Sequence, residues 1–166
     1  MTRQDPHAGM PTPPIAPELA VLAKDVGVWE AEVTVRVSKD AAPQTSGGVM
    51  TSHLIGQGRW LVSDFKNETS GFEGHGIYGW DPAKGKYVGT WVDSMSTFLQ
   101  ISEGTWDATS NTMTMLCEVR IPGRPPFTMR QTTTTAEPGT HVFRSFLPGA
   151  DGAEFEMMTV TYRKRA

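Results

Sequence analysis

After its first 27 residues, the chain is a succession of short segments in which apolar and polar residues alternate. The segment VWEAEVTVRV places Trp29 and Ala31 on one face of a β-strand, and Glu30 and Glu32 on the other. Further strands of this kind are predicted at 48–56, 58–68, 72–80, 86–94, 96–106, 111–120, 126–136, 140–147 and 153–163. The breaks between them, such as Asp-Pro-Ala-Lys-Gly and Pro-Gly-Ala-Asp-Gly, have turn chemistry. The sequence therefore predicts an all-β protein.

About ten strands joined by short links favour an up-and-down antiparallel meander, in which each strand pairs with the next. A flat sheet of that size would curl and would leave two unpaired edges. Closure into a barrel removes both edges. A barrel of more than about eight strands has an interior that side chains need not fill. We therefore expect a single closed barrel with room for a ligand.

The N-terminal region differs from the rest in composition. Residues 1–16 are rich in proline and poor in apolar groups, which predicts a flexible tail, and residues 17–166 then form the barrel domain. The segment PELAVLAKDVG, residues 17–27, spaces Leu19 and Leu22 as a helix does, with a proline at its start and a glycine at its end. It predicts a short helix of about two turns that plugs or flanks one end of the barrel.

Charge and composition argue against several partners. The net charge is −3, with no basic footprint for nucleic acid and no polybasic patch for a membrane surface. No apolar run approaches the roughly 20 residues of a membrane helix. The N-terminus lacks the apolar stretch of a signal peptide, and the one cysteine, Cys117, has no partner for an internal disulfide. We expect a cytoplasmic protein, with no metal site and no bound cofactor.

Several motifs resemble a known family. The segment VGVWEAEVTV is similar to the Gly-x-Trp opening of lipocalin-like barrels, which implies that Trp29 closes the bottom of the cavity. The segments GQGRWLVSDF, FEGHGIYGWDPAKGKYVGTWVDSMST, SEGTWDATSNTMTM and EFEMMTVTYRKR resemble a bacterial lipocalin-like family, the domain of unknown function 1579, from about Pro17 to Arg165. This resemblance implies a calycin-type, lipocalin-like β-barrel, but it assigns no catalytic residues.

The stretch YVGTWVDSMST puts a carboxylate on a face that should point inward. As a strand, it places Tyr87, Trp91, Asp93 and Met95 on the same side. Burying an unpaired carboxylate costs several kcal/mol (order of magnitude), so a packed core avoids one. Asp93 therefore indicates either a lumen that is wet or filled by a ligand, or an arginine that pairs with it.

Three residues are candidates for acid–base catalysis. His75 lies in FEGHGIYGWD, titrates near neutral pH and lies on the strand face opposite to Tyr78. Asp93 and Glu103 fall on neighbouring predicted strands, where two carboxylates with different environments could form an acid–base couple. The glycines of FEGHG indicate either barrel curvature or space cleared for a ligand.

We weigh three functions for this barrel. The first is binding of an apolar or amphipathic small molecule, with the ligand-binding candidates Trp29, Tyr78, Tyr87, Trp91, Asp93, Met95, Arg130 and Met157. The second is a cofactor-independent isomerase, dehydratase or cyclase that uses the lumen. The third is a haem-binding barrel with His53 or His141 as the iron ligand, which rests on analogy between folds alone. A homodimer is compatible with the sequence, although no motif supports it.

Overall fold

Ten antiparallel strands close into one barrel in the computed structural model, which describes residues 11–149 and 151–166. The elements are α1 (Leu19–Ala23), β1 (Gly27–Val35), β2 (Gln44–Ile55), a 3-10 turn (Gly56–Gly58), β3 (Trp60–Asn67), β4 (Phe72–Asp81), β5 (Lys86–Asp93), β6 (Gln100–Asp107), β7 (Thr112–Val119), β8 (Phe127–Glu137), β9 (Thr140–Pro148) and β10 (Glu154–Lys164). Each strand pairs with its neighbour in sequence, and β10 pairs with β1 to close the sheet. The predicted up-and-down barrel with a short N-terminal helix is confirmed.

Several element boundaries differ from the prediction, among them the start of β2 at Gln44 and not at 48. Two of the other differences have a local cause. Helix α1 has five residues, because from Lys24 onward the chain makes hydrogen bonds to carbonyls only three residues back. Residues 96–99 belong to a loop and not to β6. In that loop the Asp93 and Ser96 side chains accept hydrogen bonds from the backbone N–H groups two residues on, which competes with strand pairing.

The first ten residues of the predicted tail lie outside the described residues. Further along, the Arg59 guanidinium donates a hydrogen bond to the carbonyl oxygen of Pro13. Ala16 packs against the apolar residues at one end of the barrel. The described part of the predicted tail therefore contacts the barrel before α1 begins.

The two ends of the barrel are built differently. At the end that we call the helix end, the strands are joined by the short connections 56–59, 82–85, 108–111 and 138–139, and α1 packs there against β3 and β4. At the opposite end, which we call the loop end, the connections are 36–43, 68–71, 94–99, 120–126 and 149–153. These are longer on average, and no helix of the described residues covers them.

An apolar cluster closes the helix end. Its buried members are Leu19, Leu22, Leu61, Tyr87, Met113 and Met115. The Tyr87 hydroxyl donates a hydrogen bond to the carbonyl oxygen of Glu18 (2.9 Å), which ties the helix to β5. The Trp29 indole N–H donates to the carbonyl oxygen of Asp25 (2.8 Å), which ties the link after the helix to β1. Helix α1 is therefore a plug that is fixed both by burial and by hydrogen bonds.

A second cluster lies further along the lumen. Ala31, Phe65 and Val160 are its buried members. The apolar side chains packed around them are only partly buried: Val33, Met50, Phe72, Trp91, Phe143, Met158 and Tyr162. The barrel interior is thus lined by two apolar clusters, of which the one at the helix end is the more completely buried.

Two inward-facing glycines on β4 are required by close approach of aromatic rings. A Cβ atom at Gly74 would collide with the indole ring of Trp91. A Cβ atom at Gly76 would lie 2.7 Å from the hydroxyl oxygen of Tyr78. Both rings therefore lie flat along the wall and do not cross the lumen. Room for these rings is a third explanation for the two glycines, beside the barrel curvature and the ligand space that the sequence predicted.

Candidate functional site

The lumen brings together most of the apolar residues that the sequence nominated. Tyr78 pairs with Gly89 and Trp91 pairs with Gly76 across the β4–β5 ladder, so both aromatic residues face inward. Tyr87 and Trp29 also face inward, but they are 4% and 3% exposed and belong to the closed helix end. Trp29 lies at that end as the Gly-x-Trp resemblance implies. Trp91 is the one of the four that faces the loop end of the lumen.

Asp93 is inward-facing, and its carboxylate is satisfied without an arginine. The Trp91 indole N–H donates to one carboxylate oxygen (3.1 Å), and the backbone N–H of Met95 donates to the other (2.9 Å). Asp93 ends β5 and is half-buried, so it retains access to water at the loop end. Met95 itself is 80% exposed in the following loop and does not line the lumen.

Arg130 and Met157, two further ligand-binding candidates, are not placed in the lumen. Arg130 lies on the outer face of β8, where its guanidinium donates to Glu154 and packs 3.9 Å from the ring centroid of Phe146. Its neighbour Met129 is the inward residue, as strand alternation requires. At Met157 the β9–β10 register shifts, and Met158, not Met157, packs in the second cluster.

The catalytic candidates do not converge. His75 lies on the outer face of β4, with Nδ1 2.7 Å from an Asp64 carboxylate oxygen, and 45% of its side chain is exposed. Glu103 lies on the outer face of β6, where the Lys84 ammonium and then Lys86 hold the pKa of its carboxyl below the ordinary value. His75 therefore cannot act inside the lumen, and Asp93 and Glu103 point to opposite sides of the wall.

The structure shows a polar pair between a buried histidine and a partly exposed aspartate that the sequence did not predict. His141 faces inward on β9, is 8% exposed, and places Nδ1 3.0 Å from a carboxylate oxygen of Asp25. Its ring centroid lies 4.4 Å from that of Trp29. His53 is exposed on the outer face of β2. A haem iron would therefore have only His141 as an inward histidine of the described residues, and one ring nitrogen and one ring face of His141 are already occupied.

Inward-facing hydroxyl groups interrupt the apolar lining where the two clusters meet. We call these residues the polar belt: Ser52, Ser63, Tyr78, Ser145 and Tyr162. The Ser52 and Ser63 hydroxyls hydrogen-bond to each other at 2.8 Å. Ser145 differs from them, because its hydroxyl is buried and has no hydrogen-bond partner among the described residues.

The two tyrosines of the polar belt share one electrostatic environment. Burial raises the pKa of Tyr78 above its ordinary value, and the Asp25 carboxylate raises it further. Burial likewise raises the pKa of Tyr162, with smaller contributions from Tyr78 and Asp25. Both phenols are therefore neutral hydrogen-bond donors at physiological pH, and their surroundings disfavour additional negative charge.

Exposure of the inward-facing side chains increases toward the loop end. At the helix end, Leu61, Tyr87, Met113 and Met115 are below 10% exposed, while Trp80 and Trp106 are partly buried. Toward the loop end, Phe65, Cys117 and Met129 are buried. Other inward apolar residues there are only partly buried, among them Val35, Phe72, Trp91, Phe127, Leu147 and Phe155. An inward aromatic side chain that keeps contact with solvent, such as that of Phe72 or Trp91, is not fully covered by its neighbours. The loop end, which we call the mouth, is therefore the end of the barrel at which more of the inward apolar side chains reach solvent.

The outer wall carries exposed apolar side chains, such as Ile101 and Leu116, and a groove with charged lining. An open groove of about 490 Å³ crosses the outer face of β1, β2 and β3, and Glu30, Asp64, Lys66 and Arg165 are among its lining residues. Within residues 11–149 and 151–166, no three His, Cys, Asp or Glu side chains are grouped so as to hold a metal ion. No helix in the same ranges is both long enough and apolar enough to cross a membrane.

These observations define a closed ten-stranded antiparallel barrel of the calycin-like type, plugged by a short helix at one end. The chain matches the model of the family described as protein of unknown function (DUF1579) over residues 15–164, and it belongs to that family. The predicted family membership is thus confirmed.

One solved structure shows the same fold in a distant sequence. The crystal structure of Rv2717c from M. tuberculosis superposes with a TM-score of 0.67 at 11% identity, covering 92% of this chain and all of the other. At that identity the likeness concerns the fold alone. No curated protein matches the chain.

Proposed function

We propose that this protein binds an apolar or amphipathic small molecule in the loop-end half of its lumen. The ligand enters between the loops of the mouth and lies against the partly exposed rings of Phe72 and Trp91. The helix end takes no part in binding, because α1 and the cluster around Leu61 fill it.

The observation that carries the proposal is the difference in exposure between the two ends. Aromatic and aliphatic side chains that face inward but remain partly exposed form an apolar surface that water must cover in the empty protein. Ligand pockets are concave, mainly apolar and equipped with a few polar groups that orient the ligand. The loop-end lumen has this composition, with Asp93 and the polar belt as its polar groups.

Binding is tested with a neutral fluorescent probe, N-phenyl-1-naphthylamine, whose emission rises in apolar surroundings. We expect saturable binding by the wild-type protein. The substitution Val35→Trp places a large ring on the inner face of β1 near the mouth and should abolish this binding or weaken it at least tenfold. Thr34→Trp is the matched control, since Thr34 pairs with Thr45 and Thr159 on the opposite face of the same strand.

Equal probe binding by the two variants would show that the probe lies outside the lumen, and the proposal would then be wrong. The haem alternative has its own test, which is the appearance of a Soret band when haemin is added. A cytoplasmic location and a homodimer remain predictions from the sequence.

A further inference from the structure

We propose that the ligand's polar group is uncharged, an alcohol, ketone, ester or amide, and that it hydrogen-bonds to the hydroxyl of Ser145. This inference rests on the proposed function and deepens it, since it separates neutral amphiphiles from the carboxylates of fatty acids. Three features of the lumen carry it: an unpaired hydroxyl, the lack of a lysine or arginine beside that hydroxyl among the described residues, and the carboxylates that lie at each end.

The unpaired hydroxyl belongs to Ser145, in the middle of β9. Ser145 is 2% exposed, and its cross-strand partners are Gln131 on β8 and Met158 on β10. Its oxygen has no hydrogen-bond partner within the described residues. A buried hydroxyl without a partner costs roughly 1–3 kcal/mol, so proteins seldom retain one without a reason. A ligand atom that accepts or donates a hydrogen bond at this point supplies the missing partner.

No arginine or lysine of the described strands points into the lumen at this level. Arg130 pairs with Glu154 and Arg144 with Glu156, both on the outer face. Lys164 has inward parity, but it is exposed at the helix end with its ammonium 5.2 Å from the Trp29 ring centroid. A carboxylate placed beside Ser145 would therefore lose its hydration without gaining a cation.

His141 does not change this conclusion. Its Nδ1 is already held by the Asp25 carboxylate at 3.0 Å, so a second carboxylate would meet an imidazole that already has an anionic partner. Asp25 also acts on the polar belt, as the raised pKa values of Tyr78 and Tyr162 show. At the mouth, the carboxylate of Asp93 adds negative charge. The carboxylates at both ends of the lumen thus disfavour an anionic ligand group and leave a neutral polar group as the favoured one.

Cations of the mouth loops could hold an acid only at the rim. The Arg36 guanidinium donates to the carbonyl oxygen of Ala41, and Arg120 pairs with Glu118. An acid bound in that way would leave its head group outside and would not contact Ser145. Substitution of Ser145 would then leave its affinity unchanged, which separates the two modes of binding.

The test compares 1-decanol with decanoate as competitors of N-phenyl-1-naphthylamine at pH 8, where decanoate is ionised. We expect decanol to displace the probe at a concentration at least tenfold lower. Ser145→Ala should reduce the affinity for decanol about fivefold relative to the affinity for the probe, the equivalent of one ordinary hydrogen bond. Ser102→Ala is the matched control, because that inward-facing hydroxyl already donates to the carbonyl oxygen of Gly89 (3.4 Å).

The outcomes separate the two proposals. Equal or better competition by decanoate, or an affinity of Ser145→Ala for decanol that is unchanged relative to its affinity for the probe, would overturn the inference about the polar group while ligand binding stands. Absence of probe binding by the wild-type protein would overturn both. Thermal denaturation shows that the variant is folded, and we expect no loss of stability, since Ser145→Ala removes a hydroxyl that the protein leaves unpaired.

Discussion

The helix end and the loop end of the barrel are built from similar residues but packed in different ways. Both ends contain inward-facing aromatic and methionine side chains. At the helix end these side chains are covered by α1 and fixed by the hydrogen bonds of Tyr87 and Trp29. At the loop end they remain partly exposed, and the strands are joined by longer loops.

Because of this contrast, the two ends contribute differently to the free energy of folding. Side chains that are completely buried contribute most of the free energy of folding, since apolar surface removed from water stabilises in proportion to its area. Side chains that stay partly exposed contribute less to folding, and they keep apolar surface for a ligand. If the proposed function is correct, the helix end serves stability and the loop end serves binding.

The largest expected difference between the two ends is the cost of removing a leucine. Leu61 is 2% exposed in the helix-end cluster, and Leu61→Ala should lower the free energy of unfolding by roughly 2–5 kcal/mol. Leu147 faces inward at the loop end but is only partly buried, so Leu147→Ala should cost about 1 kcal/mol. Urea denaturation of both variants measures this difference. Equal losses would contradict the division between the ends.

A smaller effect is expected at the Asp25–His141 pair. Asp25→Ala leaves the buried imidazole of His141 without its partner, which should cost about 1–3 kcal/mol of unfolding free energy. Asp25→Asn keeps an acceptor and should cost less. Probe binding should survive in both variants, because the pair lies at the closed end. Loss of binding by the folded Asp25→Asn variant would indicate that the ligand lies at the helix end, which would contradict the proposed site.

Two aspartates allow a direct comparison of equivalent turns. Asp81 at the helix end accepts a hydrogen bond from the backbone N–H of Ala83 (2.9 Å), as Asp93 at the loop end does from Met95. Replacing either with alanine should cost about 1 kcal/mol in thermal or urea denaturation. Only Asp93→Ala should also change the affinity for the probe, because Asp93 holds the Trp91 indole. A change in affinity for Asp81→Ala of the same size would contradict this account.

The smallest effect is expected on the outer wall, at Arg130. The hydrogen bond from Arg130 holds the pKa of Glu154 below its ordinary value. The resulting stability is present above that ordinary value and is lost as pH falls through the lower pKa of the folded protein. Arg130→Gln should raise the pKa of Glu154 in an NMR titration, remove this pH dependence, and cost at most about 1 kcal/mol, since the pair is exposed. Probe binding should not change.

The alternation of apolar and polar residues was sufficient to predict most of the fold and part of the candidate site. The pattern around Trp91 was sufficient to place Asp93 on the inner face, and the alternation of β8 places Arg130 outside once Met129 is taken as the inward residue. The adjacent residues Met157 and Met158 left the parity of β10 open. A bulge decides it, and a bulge depends on pairing with β9 that a single sequence does not specify.

The buried polar groups were beyond sequence reasoning for a physical reason. Asp25 lies in the link between α1 and β1, while His141 is on β9, so their contact depends on how the closed barrel places the link over the lumen. His141 shares its face with Phe143 and Ser145, but the opposite face of β9 also carries apolar residues, so hydropathy alone did not reveal which face is buried. The unpaired state of the Ser145 hydroxyl likewise depends on the three-dimensional surroundings.

The most direct test of the central claim is a crystal structure of the protein with N-phenyl-1-naphthylamine bound. We predict density for the probe inside the loop-end half of the barrel, in contact with the rings of Phe72 and Trp91, while the cluster at the helix end is unchanged. Probe density on the outer wall, for example over the exposed side chains of Ile101 and Leu116, with a closed and filled lumen at both ends, would contradict the account.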